Sequence, residues 1–277
     1  MCGNQLKFSV LMSVYYKEKP EFLKLSIESV INQTILPDEI VIVKDGYLND
    51  KLDEVIEYYI NEYPKIFKIV QLKENKGLGL ALAEGILHCS NELVARMDSD
   101  DISVKTRFEK QLCEFNKNPK LDICGSYIAE FELNPKIIKD VRKVPLSNHQ
   151  IRQYQKKRDG FNHVSVMFKK SAVLRAGNYQ DALLMEDSLL WINMFKTGAV
   201  GMNIDESLVL VRAGDDMIER RGGFGYFLKY RKGRKRIKET GYISNWDYYL
   251  TLGIQLIVAL VPQKIRVFIF KNLLRNK

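Results

Sequence analysis

Residues 93–101 read Leu-Val-Ala-Arg-Met-Asp-Ser-Asp-Asp. The run Leu93–Met97 suits a buried strand, and it breaks abruptly into the carboxylates Asp98, Asp100 and Asp101. Like charges crowded at a strand end repel one another unless something offsets them, so this stretch marks an edge where a ligand or cation would lie. In open parallel sheets, ligands bind beyond the carboxyl ends of the strands. Working outward, β-rich runs also occupy Phe8–Val14, Glu39–Val43 and Phe67–Leu72, and each gap between runs is long enough for a helix. The first gap carries Leu23, Ile27, Val30 and Ile31, an i, i+4, i+7, i+8 stripe, with Pro20 suited to the first helical turn. Leu52–Tyr63 and Leu78–Cys89 fill the next two gaps in the same way. The first hundred residues therefore read as an α/β, Rossmann-like half sheet.

Beyond Asp101 the rhythm loosens. A helix is predicted around Lys105–Asn116, a strand at Ile123–Glu130, a polar connection over Asn134–Asp159, a strand at Ser165–Phe168, and helices near Ser171–Ala176 and Glu186–Thr197. This is a mixed second half.

The 277 residues are 46% hydrophobic and 28% charged, a globular balance that excludes disordered, collagen-like and disulfide-scaffold classes. Cys2, Cys89, Cys113 and Cys124 form no C-x-x-C pair and no Cys/His zinc spacing, so they read as free thiols of a reducing compartment. The short run Phe8–Val14 lacks the form of a signal peptide, and a cytoplasmic location is expected. The net charge of +9 is concentrated at one end. Residues 217–277 hold 14 Lys/Arg against Glu219, Glu239 and Asp247, which places a boundary near residue 217. Lys229–Lys238 could be a solvated face, a nucleic-acid patch or a clamp for anionic headgroups. The apolar runs Tyr248–Val261 and Val267–Phe270 follow it, and apolar blocks beside basic ones suit an anionic membrane surface. No nucleic-acid partner is expected. Fourteen residues fall short of the roughly 17–25 a spanning helix needs, so interfacial docking is expected, with a core-packing helix as the alternative.

Strand ends carry the remaining signals. The first closes in Ser13-Val14-Tyr15-Tyr16 and the second in Lys44-Asp45-Gly46. No glycine occurs between Gly3 and Gly46, which argues against a dinucleotide site and a nucleotidyltransferase. Gly77-Leu78-Gly79 resembles part of G-x-G-x-x-G but lacks the third glycine. Asp98-Ser99-Asp100-Asp101 suits Mg²⁺ or Mn²⁺, which take one or two carboxylates plus a substrate diphosphate; the alternative is a helix N-cap. Glu186 and Asp187 open a segment with Leu190, Trp191, Met194 and Phe195 on one helix face, where dipole complementation is the alternative to catalysis. His163 reads as a structural histidine or a ligand contact, and Lys76 and Arg96 as surface cations or partners of a diphosphate.

In their order and intervals these pieces resemble a family-2 glycosyltransferase of the GT-A fold, over roughly residues 7–215. The matching pieces are Ser13-Val14-Tyr15-Tyr16, Asp45-Gly46, Asn75-Lys76-Gly77, Asp98-Ser99-Asp100-Asp101, Met185-Glu186-Asp187 and the segment Phe161–Phe168. Tyr16 stands where the family usually has Asn, and Lys44 where it has the first Asp of Asp-Asp-Gly-Ser. The resemblance implies a nucleotide-binding half over about 1–101 and an acceptor half over about 102–216; the charge and apolar runs add a basic, amphipathic membrane-associating region over 217–277. It implies inverting transfer from a nucleotide-sugar, a UDP-sugar, to a lipid-linked glycan of a bacterial surface polysaccharide, on the inner face of the cell membrane. Asp187 would be the general base. Asp100 would hold the metal, and Asp98 the ribose or the metal. Ser13, Tyr15, Asp45, Lys76 and Arg96 would face the nucleotide, and His163 and Glu186 the acceptor or diphosphate. A non-catalytic membrane-binding module and a metal-dependent nucleotidyltransferase are the rival readings.

Overall fold

The computed structural model describes residues 6–182, 184–214 and 222–262. Strands β1 (Phe8–Val14), β2 (Glu39–Lys44), β3 (Phe67–Gln71) and β4 (Leu93–Asp98) alternate with helices α1 (Pro20–Ile31), α2 (Asp50–Glu62) and α3 (Leu78–His88). There follow β5 (Ile102–Ser103), α4 (Arg107–Lys117), β6 (Ile123–Phe131), β7 (Asp140–Arg142), α5 (Asn148–Tyr154), a 3₁₀ turn at His163–Ser165, β8 (Met167–Lys169), α6 (Lys170–Arg175), α7 (Glu186–Lys196) and β9 (Gly201–Arg212). The chain closes with α8 (Phe224–Glu239) and α9 (Asn245–Leu260).

One sheet runs through both halves in the order β3-β2-β1-β4-β8-β6-β9-β5, with β7 beside β6. β1 to β4 pair in parallel, as the βαβ rhythm requires, while β8 is antiparallel to both β4 and β6. Alternation along the strands builds two cores. Phe8, Val10, Met12, Ile40 and Ile42 face α1, α2 and α4, whereas Leu11, Val41 and Val43 face α3, α6 and α7. Helix starts follow local chemistry: Pro20 begins α1, and the Asn49 side chain accepts the Leu52 N–H at the start of α2.

Three expectations need correction. The Asn134–Asp159 connection contains β7 and α5, and α5 is opened by a capping box of Ser147 and Gln150. β9, the 12-residue strand beyond α7, was not anticipated at all. The thiols are not all free: Cys89 and Cys124 are free and buried, but Cys113 is disulfide-bonded.

The C-terminal helices form an antiparallel pair, with Gly223 N–H on the Ala259 carbonyl at 3.1 Å. Ile237, Ile243 and Tyr248 pack against Met185, Leu189 and Ile192, so one face of the pair joins a core. The opposite face of α9 carries Trp246, Tyr249, Ile254, Ile257 and Leu260, all exposed. Among the described residues, no helix is long and apolar enough to cross a membrane. The expected boundary near residue 217 and the run Val267–Phe270 lie outside the described residues.

Candidate active site

The acids at the end of β4 are positioned from three sides. Ser13 lies beside Asp98 in the β1–β4 register. Arg96, 2% exposed, reaches toward the end of the strand and holds both Asp98 carboxylate oxygens, with Nη1 at 2.6 Å from Oδ2. Ser26 of α1 donates to the Asp98 carbonyl at 2.7 Å. Asp101 is buried, and its Oδ1 accepts the Arg212 N–H at 2.8 Å, while Arg212 Nε donates to the Asp100 carbonyl at 3.3 Å. The Arg212 guanidinium stacks 3.7 Å above the Phe22 ring. Behind the strand, buried Arg107 donates to the Arg96 and Val166 carbonyls at 2.7 and 3.2 Å.

Ligand atoms of Asp98, Asp100 and Asp101 all lie within 4.8 Å of one another. Burial, then Asp98 and Glu18, push the Asp100 carboxyl up to about 7, and burial with Asp98 and Asp100 raises Asp101 well above the carboxylate range. Hard oxygen donors in mutual repulsion fit Mg²⁺ or Mn²⁺. Arg96 occupies Asp98 and the Arg212 N–H occupies Asp101, which leaves Asp100 as the carboxylate best able to take a cation. The capping alternative fails, because α4 starts at Arg107 with Thr106 as its N-cap.

Beside this cluster the ends of β1 and β2 are open and aromatic. Tyr15 is 41% exposed, Ser13 is partly exposed, and Tyr16 and Tyr47 project into solvent. Lys44 pairs with Asp53 of α2 at 2.5 Å, which accounts for a cation where the family usually has an acid. Asp45 is buried, and its two oxygens accept the N–H groups of Lys76 at 2.7 Å and Gly77 at 3.0 Å. Asp45 thus holds the turn into α3 and leaves the Lys76 side chain exposed. Gly46 has φ +85°, and a Cβ there would lie 2.8 Å from the Asn75 nitrogen.

The turn into α3 meets α7. A Cβ on Gly79 would lie 3.0 Å from Glu186 Cβ, so that glycine serves close helix approach rather than a phosphate loop. Asp187 Oδ1 accepts the Ser188 N–H at 2.7 Å. Burial, followed by the charges of Asp159 and Glu186, raises the Asp187 carboxyl well above its ordinary range. Between the two acid groups, the Tyr179 hydroxyl lies 2.7 Å from His163 Nε2, and Trp191 packs edge-on to both rings. Burial and Arg96 hold His163 well below its usual pKa, so it is neutral. Burial raises the Tyr179 hydroxyl, and it lies within electrostatic reach of Arg96 and Asp98 at the end of β4 and of Asp187 and Glu186 at the start of α7. Sequence reasoning missed Glu18, Asp159, Tyr179 and Arg212. Only Glu18, four residues past the end of β1, had a local signal.

The sequence profile of Glycosyl transferase family 2 matches residues 9–178, which span the parallel half sheet and the acids at the end of β4. The chain belongs to that family. The amylovoran biosynthesis glycosyltransferase AmsE of Erwinia amylovora is 38% identical over 96% of this chain and 98% of its own length. The UDP-Gal:alpha-D-GlcNAc-diphosphoundecaprenol beta-1,3-galactosyltransferase of Escherichia coli is 38% identical over 100% of this chain and 99% of its own. Among solved structures, the mannosyltransferase of Pyrobaculum calidifontis in complex with GDP-Man and Mn²⁺ superposes with a TM-score of 0.65 at 12% identity, covering 96% of this chain and 73% of that one. The fold is therefore GT-A, and the family-2 protein is a glycosyltransferase. A nucleotidyltransferase and a non-catalytic membrane module are both set aside.

Proposed function

We propose that this family-2 glycosyltransferase moves a sugar, with inversion, from a UDP-sugar to a hydroxyl of a glycan carried on a polyprenyl diphosphate. The reaction would take place on the cytoplasmic face of the cell membrane, in assembly of a surface polysaccharide. The observation that carries this reading is the convergence of Asp98, Asp100 and Asp101 at the end of β4, with Tyr179 within electrostatic reach both of Asp98 and of Glu186 and Asp187. Near full-length similarity to an enzyme named for UDP-Gal and a GlcNAc-diphosphoundecaprenol acceptor supports the donor and acceptor classes.

Tyr15 offers an exposed ring for the base, and Ser13 lies beside the ribose contact that Asp98 would make. Arg96 fixes the Asp98 carboxylate by a paired hydrogen bond, so its orientation is set before donor binds. Asp45 holds the turn that presents Lys76 to the diphosphate. Asp100, with Asp98, would hold Mg²⁺ or Mn²⁺, which when bound supplies counter-charge to the departing diphosphate. Asp187 removes the proton from the acceptor hydroxyl as the oxygen attacks the sugar carbon opposite the leaving group. His163 and Glu186 border the space that acceptor and diphosphate share.

The α8–α9 pair supports membrane docking. Trp246, Tyr249, Ile257 and Leu260 form a stripe on α9, with Phe224 and Leu228 exposed at the neighbouring end of α8. Lys238 Nζ sits 5.4 Å from the Tyr249 ring centroid, and Lys232, Lys235 and Arg236 are exposed on α8. Apolar and aromatic groups flanked by cations suit an anionic interface. The test is release of UDP from UDP-galactose with Mn²⁺ and N-acetylglucosaminyl diphosphate bearing a short alkyl chain. Coupled formation of a disaccharide diphosphate is expected. Absence of transfer while other nucleotide-sugars or free sugars react would overturn the donor or acceptor assignment.

A further inference from the structure

The segment 155–160 leaves α5 and passes against the start of α7. Buried Gln155 accepts the Gly160 N–H at 2.8 Å and donates to Asp159 Oδ1 at 3.2 Å. The segment has no slack at Gly160, where a Cβ would lie 2.7 Å from Ile151 Cγ2. Ser188 donates its hydroxyl to that same Asp159 oxygen, and its N–H to Asp187 Oδ1. Two carboxylates are thereby joined through one serine. From the other side Arg234 of α8, 3% exposed, donates to the Lys156 carbonyl at 2.9 Å.

We propose that Asp159 is a positioning residue for Asp187: it fixes Ser188 and the first turn of α7 and places a second negative charge beside the base, while Gln155 holds its carboxylate and Arg234 of the C-terminal helix pair holds its segment at the Lys156 carbonyl. The inference rests on Asp187 being the base. The groups that face Asp187 are Glu186 on its own helix, Asp159 from this segment, Arg142 of β7 and Tyr179. A negative neighbour disfavours the ionised carboxylate and so raises its affinity for a proton. A carboxylate of raised proton affinity is the better acceptor of a hydroxyl proton in the transition state. Removing the Asp159 charge therefore lowers the proton affinity of Asp187, moves the acid limb of the rate profile to lower pH, and weakens the base on the plateau.

The full chain is assayed with UDP-galactose, Mn²⁺ and the short-chain N-acetylglucosaminyl diphosphate. Asp159→Asn keeps the shape and an oxygen for Ser188 but loses the charge. Its acid limb in kcat/KM is expected to move down by about one pH unit, with the plateau about tenfold lower and donor affinity unchanged. A profile superimposable on that of the parent chain overturns the inference. Ser188→Ala cuts the link and leaves both acids, so it carries the test if the first variant does not fold. An about tenfold lower kcat at unchanged donor affinity is expected, and an unchanged kcat overturns the positioning role. Asp187→Asn is run in parallel. If it retains transfer, the base assignment fails and the inference with it; if it abolishes transfer while Asp159→Asn is neutral, the inference alone fails.

Discussion

Asp100 and Asp187 are both raised acids, yet their surroundings differ in a way that suits the different tasks proposed for them. Asp100 is pushed up by burial and by Asp98 and Glu18, a cluster that a cation relieves. Asp98→Asn and Asp100→Asn should each lower transfer about 100-fold or more, and excess EDTA should imitate them. Undiminished turnover in EDTA would remove the metal assignment. Asp187 is raised by burial and by Asp159 and Glu186, away from those ligands. Asp187→Asn should leave UDP-sugar binding intact while transfer falls by about 10²–10⁴. The sign of its pH effect follows from the raised value. Between the unfolded and folded pKa the native state holds a proton that the unfolded chain has lost, so stability falls as pH rises through that window. Transfer, which needs the ionised base, rises through the upper end of the same window. Asp187→Asn should therefore melt at a higher temperature than the parent near neutral pH, a stability gain opposite to its activity loss. A lower melting temperature would show that the acid is held by contacts rather than strained by burial. The places of these acids, at a strand end and a helix start, could be read from the sequence because they follow from local pattern. Asp159 and Arg212 could not, since they act on residues 29 and 111 positions away.

At the level of elements, periodic and capped segments were readable, and interrupted ones were not. α1 to α3 declare themselves by stripe, proline and cap. β9 carries Asp205 and Glu206 in its middle, where the pairing with β6 shifts register beside Ser126 and Tyr127, so its alternation is broken. Gly77-Leu-Gly79 had the look of a phosphate loop, but its second glycine exists for packing between α3 and α7. That role gives a test with a definite sign. In an open helix position Gly→Ala stabilises by about 0.5–1 kcal/mol. At Gly79 the new methyl would lie 3.0 Å from Glu186 Cβ and 3.4 Å from the Gln180 carbonyl, so the first turn of α7 must shift. Gly79→Ala should lose the expected stability gain and lower transfer about tenfold, with donor affinity changed little. A variant that is both more stable and equally active would show that α7 has room to give.

For the whole molecule, the question is what the C-terminal pair does with its two faces. Ile237, Ile243 and Tyr248 bind it to the catalytic half, while Trp246 at 72%, Ile257 at 60% and Leu260 at 66% exposure leave its other face open. A helix packed only for the core would not array its apolar residues outward at i, i+3, i+11 and i+14. Sequence composition revealed the basic and apolar blocks but not which residues face inward, and Arg234 shows why that matters. It lies within the basic run, yet it is buried and holds the Lys156 carbonyl. Charge reversal for a membrane test therefore belongs at Lys232, Lys235 and Arg236, which are exposed. Their replacement by Glu should weaken sedimentation with anionic vesicles in a salt-dependent way, because such attraction is screened over about 10 Å at 0.1 M salt. Ile254→Asp with Ile257→Asp should weaken it at every ionic strength, since it removes apolar area from the interface. Transfer to the short-chain acceptor should survive both sets of changes, because neither touches Arg234 or the acids. A parent chain that stays in the supernatant with anionic vesicles at low salt would mean that the outward stripe of α9 meets a partner other than the bilayer.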